Sequence, residues 1–127
     1  VREVKFKYLW QHNETGRFVE DTWDIFQIEC GLNDYDYNYR RAYTFVARRQ
    51  YTSIKDVTGE EIYEGDIVEC DMVYRGGKLP HIGEIVYSQI YGAFATKNEA
   101  GVTLLHNHYL STFKILGNIY ENPELLK

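Results

Sequence analysis

A chain of 127 residues with a formal net charge of −5 is one domain by default, and it is long enough to bury a core without covalent staples. Two cysteines exclude a disulfide framework, and no apolar run approaches the roughly 18 residues of a membrane-spanning helix. The unusual component is tyrosine, with 12 residues in an aromatic share of 16%, which favours strands because aromatic rings pack well on a pleated surface.

In chain order, Val4, Phe6, Tyr8 and Trp10 alternate with Lys5, Lys7 and Leu9, the pattern of a half-buried strand. Asn13–Gly16 reads as a turn, with Arg17–Glu20 as the returning hairpin partner. Trp23, Ile25, Phe26 and Ile28 fit neither period and leave strand or short helix open. Tyr35, Tyr37 and Tyr39, then Tyr43 and Phe45, share one parity and predict a strand or two with an aromatic side. Gln50–Asp56 is extended, Val57-Thr58-Gly59 turns, and Ile67–Tyr74 is a strand after the turn Tyr63–Asp66. The loop Arg75–Pro80 carries Gly76-Gly77 as its turn signal. Strands are expected again at His81–Tyr87, Gly92–Thr96, Val102–Leu105 and Phe113–Ile119. Asn122-Pro123-Glu124 is a helix start, because Asn caps, Pro suits the first helical position and Glu favours the positive end. Short strands with closely spaced turns predict a mainly β fold, with an SH3-like barrel at 50–119, a β-rich or mixed extension at 1–49 and a short C-terminal helix at 120–127.

Charge is unevenly laid out. Arg40, Arg41, Arg48, Arg49 and Lys55 occupy 37–55 without an acid, while Asp56, Glu60, Glu61, Glu64, Asp66, Glu69 and Asp71 follow without a base. Neighbouring strands could pair these charges across a solvated face, or the first run could be a basic contact surface. Cys30 and Cys70 sit in apolar surroundings and predict buried thiols in a reducing, cytoplasmic setting. Val1–Lys5 leads into no apolar run, so no secretory signal is expected.

Few constellations carry chemistry. His106-Asn107-His108 places two imidazoles on one strand face, but no third ligand follows, and no metal site is predicted. Glu60, Glu61, Glu64 and Asp66 match no calcium loop and read as a structural turn. No nucleophile motif or phosphate-binding glycine loop is present, so no enzyme and no cofactor are expected. A metal-dependent hydrolase built on the 60–66 acids and a histidine is the alternative from another class. The tract YDYNYRRAYTFVARRQY is the functional candidate, with Tyr35, Tyr37, Tyr39, Arg41, Tyr43 and Arg49 as partner-binding residues. Aromatic rings stack on bases while arginine meets phosphate, which suits single-stranded nucleic acid. Tyr and Arg are equally the residues enriched at protein interfaces. A domain of this size cannot bury every ring, so self-association is the expected outcome, and a host protein is the further alternative.

Tyr51, Lys55-Asp56, Gly59, the run Glu61–Val68 and the run Gly117–Leu125 together resemble the YopX-like proteins of bacteriophages and prophages, and Arg2–Phe6 is similar to the family's first strand. The resemblance brackets nearly the whole chain. It implies an SH3-type barrel with an N-terminal addition, encoded by a phage or prophage of a Gram-positive host, which makes the cytoplasm expected from the cysteines that of the host bacterium. It implies no catalytic residue. Gly59, Gly65, Asp66, Gly117, Asn122 and Pro123 are expected to be structural. Ser53-Ile54 and Val57-Thr58 depart from the family, which more often has Gly-Leu and Lys-Asn there.

Overall fold

A computed structural model of the chain describes residues 3–29, 42–105 and 108–126. The chain divides into two compact units, Val1–Tyr51 and Thr52–Lys127. Both are mainly β and antiparallel. Among the described residues, no helix is long and apolar enough to cross a membrane.

In the first unit, β1 (Lys5–His12) lies between β2 (Phe18–Asp24) and β3, which begins at Tyr43. The β1–β2 turn falls where Asn13–Gly16 predicts it. Gly16 N donates to His12 O at 3.0 Å, and His12 Nδ1 accepts from Glu14 N and Thr15 N, each at 3.2 Å. The ambiguous stretch resolves into both options. Trp23 lies in β2, and Ile25–Glu29 forms the single helical turn α1. Its start is a reciprocal cap, with Gln27 N donating to Asp24 Oδ1 at 2.8 Å and Asp24 N donating to Gln27 Oε1 at 2.9 Å.

Strand β3 runs from Tyr43 to Lys55 and passes into the second unit, where its end lies beside β4 (Glu61–Tyr63). Ser53 interrupts it with φ of 70°, a left-handed conformation that disfavours any residue with a Cβ. The neighbouring Thr52 hydroxyl holds the irregularity, donating to Ile62 O at 2.8 Å and accepting from Ile54 N at 3.2 Å. The departure of Ser53 from the expected glycine therefore carries a backbone cost. Ser53→Gly is expected to stabilise the fold by about 1 kcal/mol, measured as a raised urea midpoint; an unchanged or lower midpoint would contradict it.

Strands β5 (Asp66–Tyr74), β6 (Gly77–Ser88), β7 (Ala93–Asn98), β8 (Gly101–Leu104) and β9 (His108–Asn118) build a sheet of order β8-β7-β6-β5-β9. Neither sheet closes on itself among the described residues. The β5–β6 turn is Arg75-Gly76, not Gly76-Gly77, with φ of 47° and 78°, and Tyr74 opposes Gly77. A two-residue turn with both centres left-handed matches strand twist, and it makes Gly77 to Pro80 strand rather than loop. Ile62, Val68, Cys70, Ile85, Phe94, Leu105 and Phe113 form the core, with Ile54 and Ile115 against it. Burial, followed by the charges of Asp71 and Glu69, pushes the Cys70 thiol up to about 12, so it packs as a small hydrophobe. Cys30 lies outside the described residues. The chain ends in a 3-10 turn, Pro123–Leu126, at the position Pro123 predicts.

Candidate interaction face

Register decides which side chains share a face. Paired residues of antiparallel strands point the same way. Phe6 opposes Trp23 on β2, Tyr8 opposes Asp21, and Trp10 opposes Val19. On the β3 side, Tyr8 opposes Arg48, Trp10 opposes Phe45, and His12 opposes Tyr43. One face of the first unit thus gathers Phe6, Tyr8, Trp10, His12, Trp23, Tyr43 and Phe45. The rings touch: Tyr8 and Trp23 centroids are 5.1 Å apart, Trp10 and Phe45 5.4 Å, and His12 and Tyr43 4.9 Å. Phe45 remains 49% exposed. A cavity of about 240 Å³ lined by His12, Thr15, Arg17, Val19 and Tyr43 lies at one end of this face.

Simple alternation along β3 would place Arg49 with Tyr43 and Phe45. A register shift between Leu9 and Trp10 intervenes, leaving Val46 unopposed between Ala47 and Phe45. One extra residue reverses the parity downstream. Arg48 therefore joins the aromatic face, exposed and with its guanidinium 4.9 Å from the Phe6 ring centroid. Arg49 goes to the other face, where it is buried and ion-paired to Glu20. Its assignment as a partner-binding residue is corrected: a buried guanidinium presents no charge to a partner. Tyr43 stays on the aromatic face, half-buried. Tyr35, Tyr37, Tyr39 and Arg41 lie outside the described residues. The basic run does not oppose the acidic run through Arg48 and Arg49, which face Tyr8 and Lys7 of β1, while Glu69 on β5 is opposed by Lys114 on β9.

Two of the 60–66 acids bond within the turn, Glu61 Oε1 accepting from the Tyr63 hydroxyl at 3.2 Å. Asp66 is buried, and its Oδ2 accepts from Tyr63 N at 2.8 Å. Among the described residues, no three His, Cys, Asp or Glu side chains converge as a metal site would require. His106 and Asn107 lie outside the described residues.

The sequence model of one family, described as YopX protein, matches residues 4–127. The chain belongs to the YopX family. A crystal structure of protein EF1440 from Enterococcus faecalis is similar to it, with a TM-score of 0.53 and 20% identity, covering 96% of this chain and 98% of that one. At that identity the likeness speaks for the fold. No curated protein matches the chain.

The YopX-like motif residues meet in the second unit as one set of ties. Gly65 N donates to Ile85 O at 2.8 Å, and Gly65 O accepts from Ile119 N at 2.9 Å. Gly65 has φ of 88°, which glycine alone adopts without strain. Asn122 does not cap the C-terminal turn with its side chain; its Oδ1 accepts from Asn118 N at 3.3 Å, while Asn118 Oδ1 accepts from Tyr120 N and Glu121 N. Gly117 leaves room for the Asn122 side chain, which a Cβ there would strike. Asp56 is the centre of another tie. Its Oδ1 accepts from Thr58 N at 2.8 Å, Thr58 Oγ1 at 2.7 Å and Glu60 N at 3.0 Å, and its Oδ2 accepts from Ile115 N at 3.2 Å. Burial alone would raise its pKa, but these bonds outweigh it and hold the carboxyl below 3.8. These motif residues thus tie backbone joints of the second unit.

A second polar network crosses β6 and β7. His81 Nε2 lies 2.9 Å from Thr96 Oγ1, which donates to Thr103 O at 3.4 Å, and Asn98 Nδ2 donates to Ile82 O at 2.9 Å. With the Thr96 hydroxyl donating onward, His81 Nε2 is the donor to it, so the ring is neutral or positive with that proton in place. Burial lowers the His81 pKa below 6.5. A folded value below the unfolded one means the unfolded chain binds the extra proton, so this stability is complete above 6.5 and lost as pH falls toward the folded value. Glu84, raised by burial and partly offset by Lys97, acts in the opposite sense near its own range. Urea midpoints are expected to fall between pH 7 and 5.5 in the native protein and to flatten in His81→Gln; parallel curves would refute the assignment.

Proposed function

We propose that this YopX protein is a non-enzymatic interaction module, a phage- or prophage-encoded accessory protein of the bacterial cytoplasm, whose aromatic face docks a second copy of the chain. The observation that carries this reading is the grouping of Phe6, Tyr8, Trp10, Trp23, Tyr43 and Phe45 on one face, with Phe45 49% exposed. Aromatic side chains supply large contact area at low entropic cost, and they are the usual anchors of protein interfaces. Two-fold pairing of identical faces is the simplest closed arrangement. In the same reading the second unit is an SH3-type barrel. Four strands in meander, with the last strand returning beside the first of them, is the order that supports it.

Single-stranded nucleic acid is the second reading. Arg48 beside the rings favours it, while a net charge of −5 opposes a polyanion. Light scattering after size exclusion tests both. The native protein is expected to run as an oligomer and Phe45→Ser as a smaller species. A native monomer that binds a labelled oligonucleotide, with affinity falling steeply as salt rises, would replace the first reading by the second.

A further inference from the structure

We infer that the aromatic face receives a basic side chain, the ammonium of a lysine or guanidinium of an arginine on the docked polypeptide, with Asp21 as its counter-charge. This deepens the interaction reading above and rests on it. The starting observation is an orphan: Asp21 Oδ2 is buried and, among the described residues, has no hydrogen-bond partner. A carboxylate oxygen taken out of water without a donor is costly, and folds keep such groups where something pairs with them.

The surroundings define what that something is. Tyr8 stands directly across from Asp21 on β1, and Trp23 is two residues along β2 on the same face, its ring 5.1 Å from that of Tyr8. Trp10 and Val19 are the next pair along. Ring faces carry negative potential, so π surfaces beside a carboxylate select a cation and reject an anion. Among the described cations of the unit, Arg17 lies at the hairpin end of the face, lining the cavity with His12 and Tyr43. Arg48 shares the face but lies over Phe6. Arg49 is on the opposite face with Glu20, and Lys5 pairs with Glu3 and lies over Tyr51. Lys7, opposite Thr22 and Arg49, is also on that other face. Because Oδ2 has no exposed surface, an incoming cation displaces a ring and is then enclosed by the others.

Both tryptophans of the chain, Trp10 and Trp23, are on this face, so their emission reports it directly. The probe is a short peptide carrying three lysines, with the same peptide carrying three glutamates and tetramethylammonium chloride as comparisons. A saturable emission change with the lysine peptide is expected, with none from the glutamate peptide. Asp21→Asn is expected to weaken it about tenfold, while Glu14→Gln, which removes the same charge from the exposed β1–β2 turn, leaves it unchanged. Saturation by tetramethylammonium equal to that by the peptide would overturn the claim of a polypeptide guest. Equal weakening by both substitutions would reduce the effect to net charge and overturn the site. Asp21→Asn must also keep a urea midpoint at or above the native one, since the carboxylate supports no hydrogen bond through Oδ2; a clear drop would make Asp21 structural and sink the proposal. An oligomer that persists while lysine binding is absent would leave the docking face standing and remove this inference alone.

Discussion

Replacing Asp56 by alanine is expected to destabilise the fold by about 3 kcal/mol, since removing a buried acceptor leaves each donor with its own desolvation cost. Thr58 N, Glu60 N and Ile115 N all lose their partner at once, at a residue only 8% exposed. The turn after β3 and the middle of β9 would lose their shared anchor. Asp56→Asn tests the geometry more finely. Its carbonyl oxygen can still serve Thr58 N and Glu60 N, but its amide nitrogen cannot accept from Ile115 N, so roughly half the loss is expected. Urea unfolding at pH 7 measures both. A loss under about 1 kcal/mol for the alanine variant would mean that water takes over these donors and that the joint is dispensable. The same carboxylate predicts an acid limb. Its folded pKa lies below 3.8, so its contribution is present above that value and disappears as pH falls through the folded one. That window is distinct from the His81 window, which opens below 6.5.

Arg48 and Arg49 are expected to part company completely under mutation, although they are neighbours of the same type. Arg49 is 1% exposed and ion-paired to Glu20, whose side chain is 30% exposed, so Arg49→Ala removes a buried stem and breaks a part-buried pair, at a cost of about 2 kcal/mol. Arg48 is exposed over Phe6, and Arg48→Ala is expected to change stability by less than about 1 kcal/mol. Its effect belongs on the binding side. If the face docks another chain, Arg48→Ala lowers oligomer affinity; if it binds nucleic acid, it flattens the salt dependence by about one unit of slope. Thermal and urea denaturation of the two single variants is the decisive comparison. Equal stability losses would show that the bulge at Val46 does not separate their faces.

That pair also marks where reading the sequence fails. Tyr43 and Phe45 share a parity with Arg49, and nothing local to the tract announces the extra residue at Val46. The bulge exists because β3 must match β1 on both sides of Leu9, and the demands of a partner strand are not written in the strand itself. The β5–β6 turn is a milder case. Gly76 can be either centre of a two-residue turn, and only the pairing of Tyr74 with Gly77 chooses Arg75 as the other, against its steric preference. The capping pair Asp24 and Gln27 was legible in principle from the Asp-x-x-Gln spacing, but the apolar residues around it fit no period and concealed the short helix.

What the amino-acid sequence determined alone is the local chemistry. Alternation from Phe6 to Trp10 sets β1, Asn13–Gly16 sets its hairpin, Gly59 and Gly65 set turns at positive φ, and Pro123 sets the terminal turn. These are decided by sterics and solvation within a few residues, so a local reading suffices. Tertiary structure decided the rest: which arginine is buried, which rings share a face, and that Asp66 is buried with a backbone donor, Tyr63 N. Each of these depends on what the neighbouring strand places opposite a residue. That is a matter of register and desolvation, and neither is a property of a single segment.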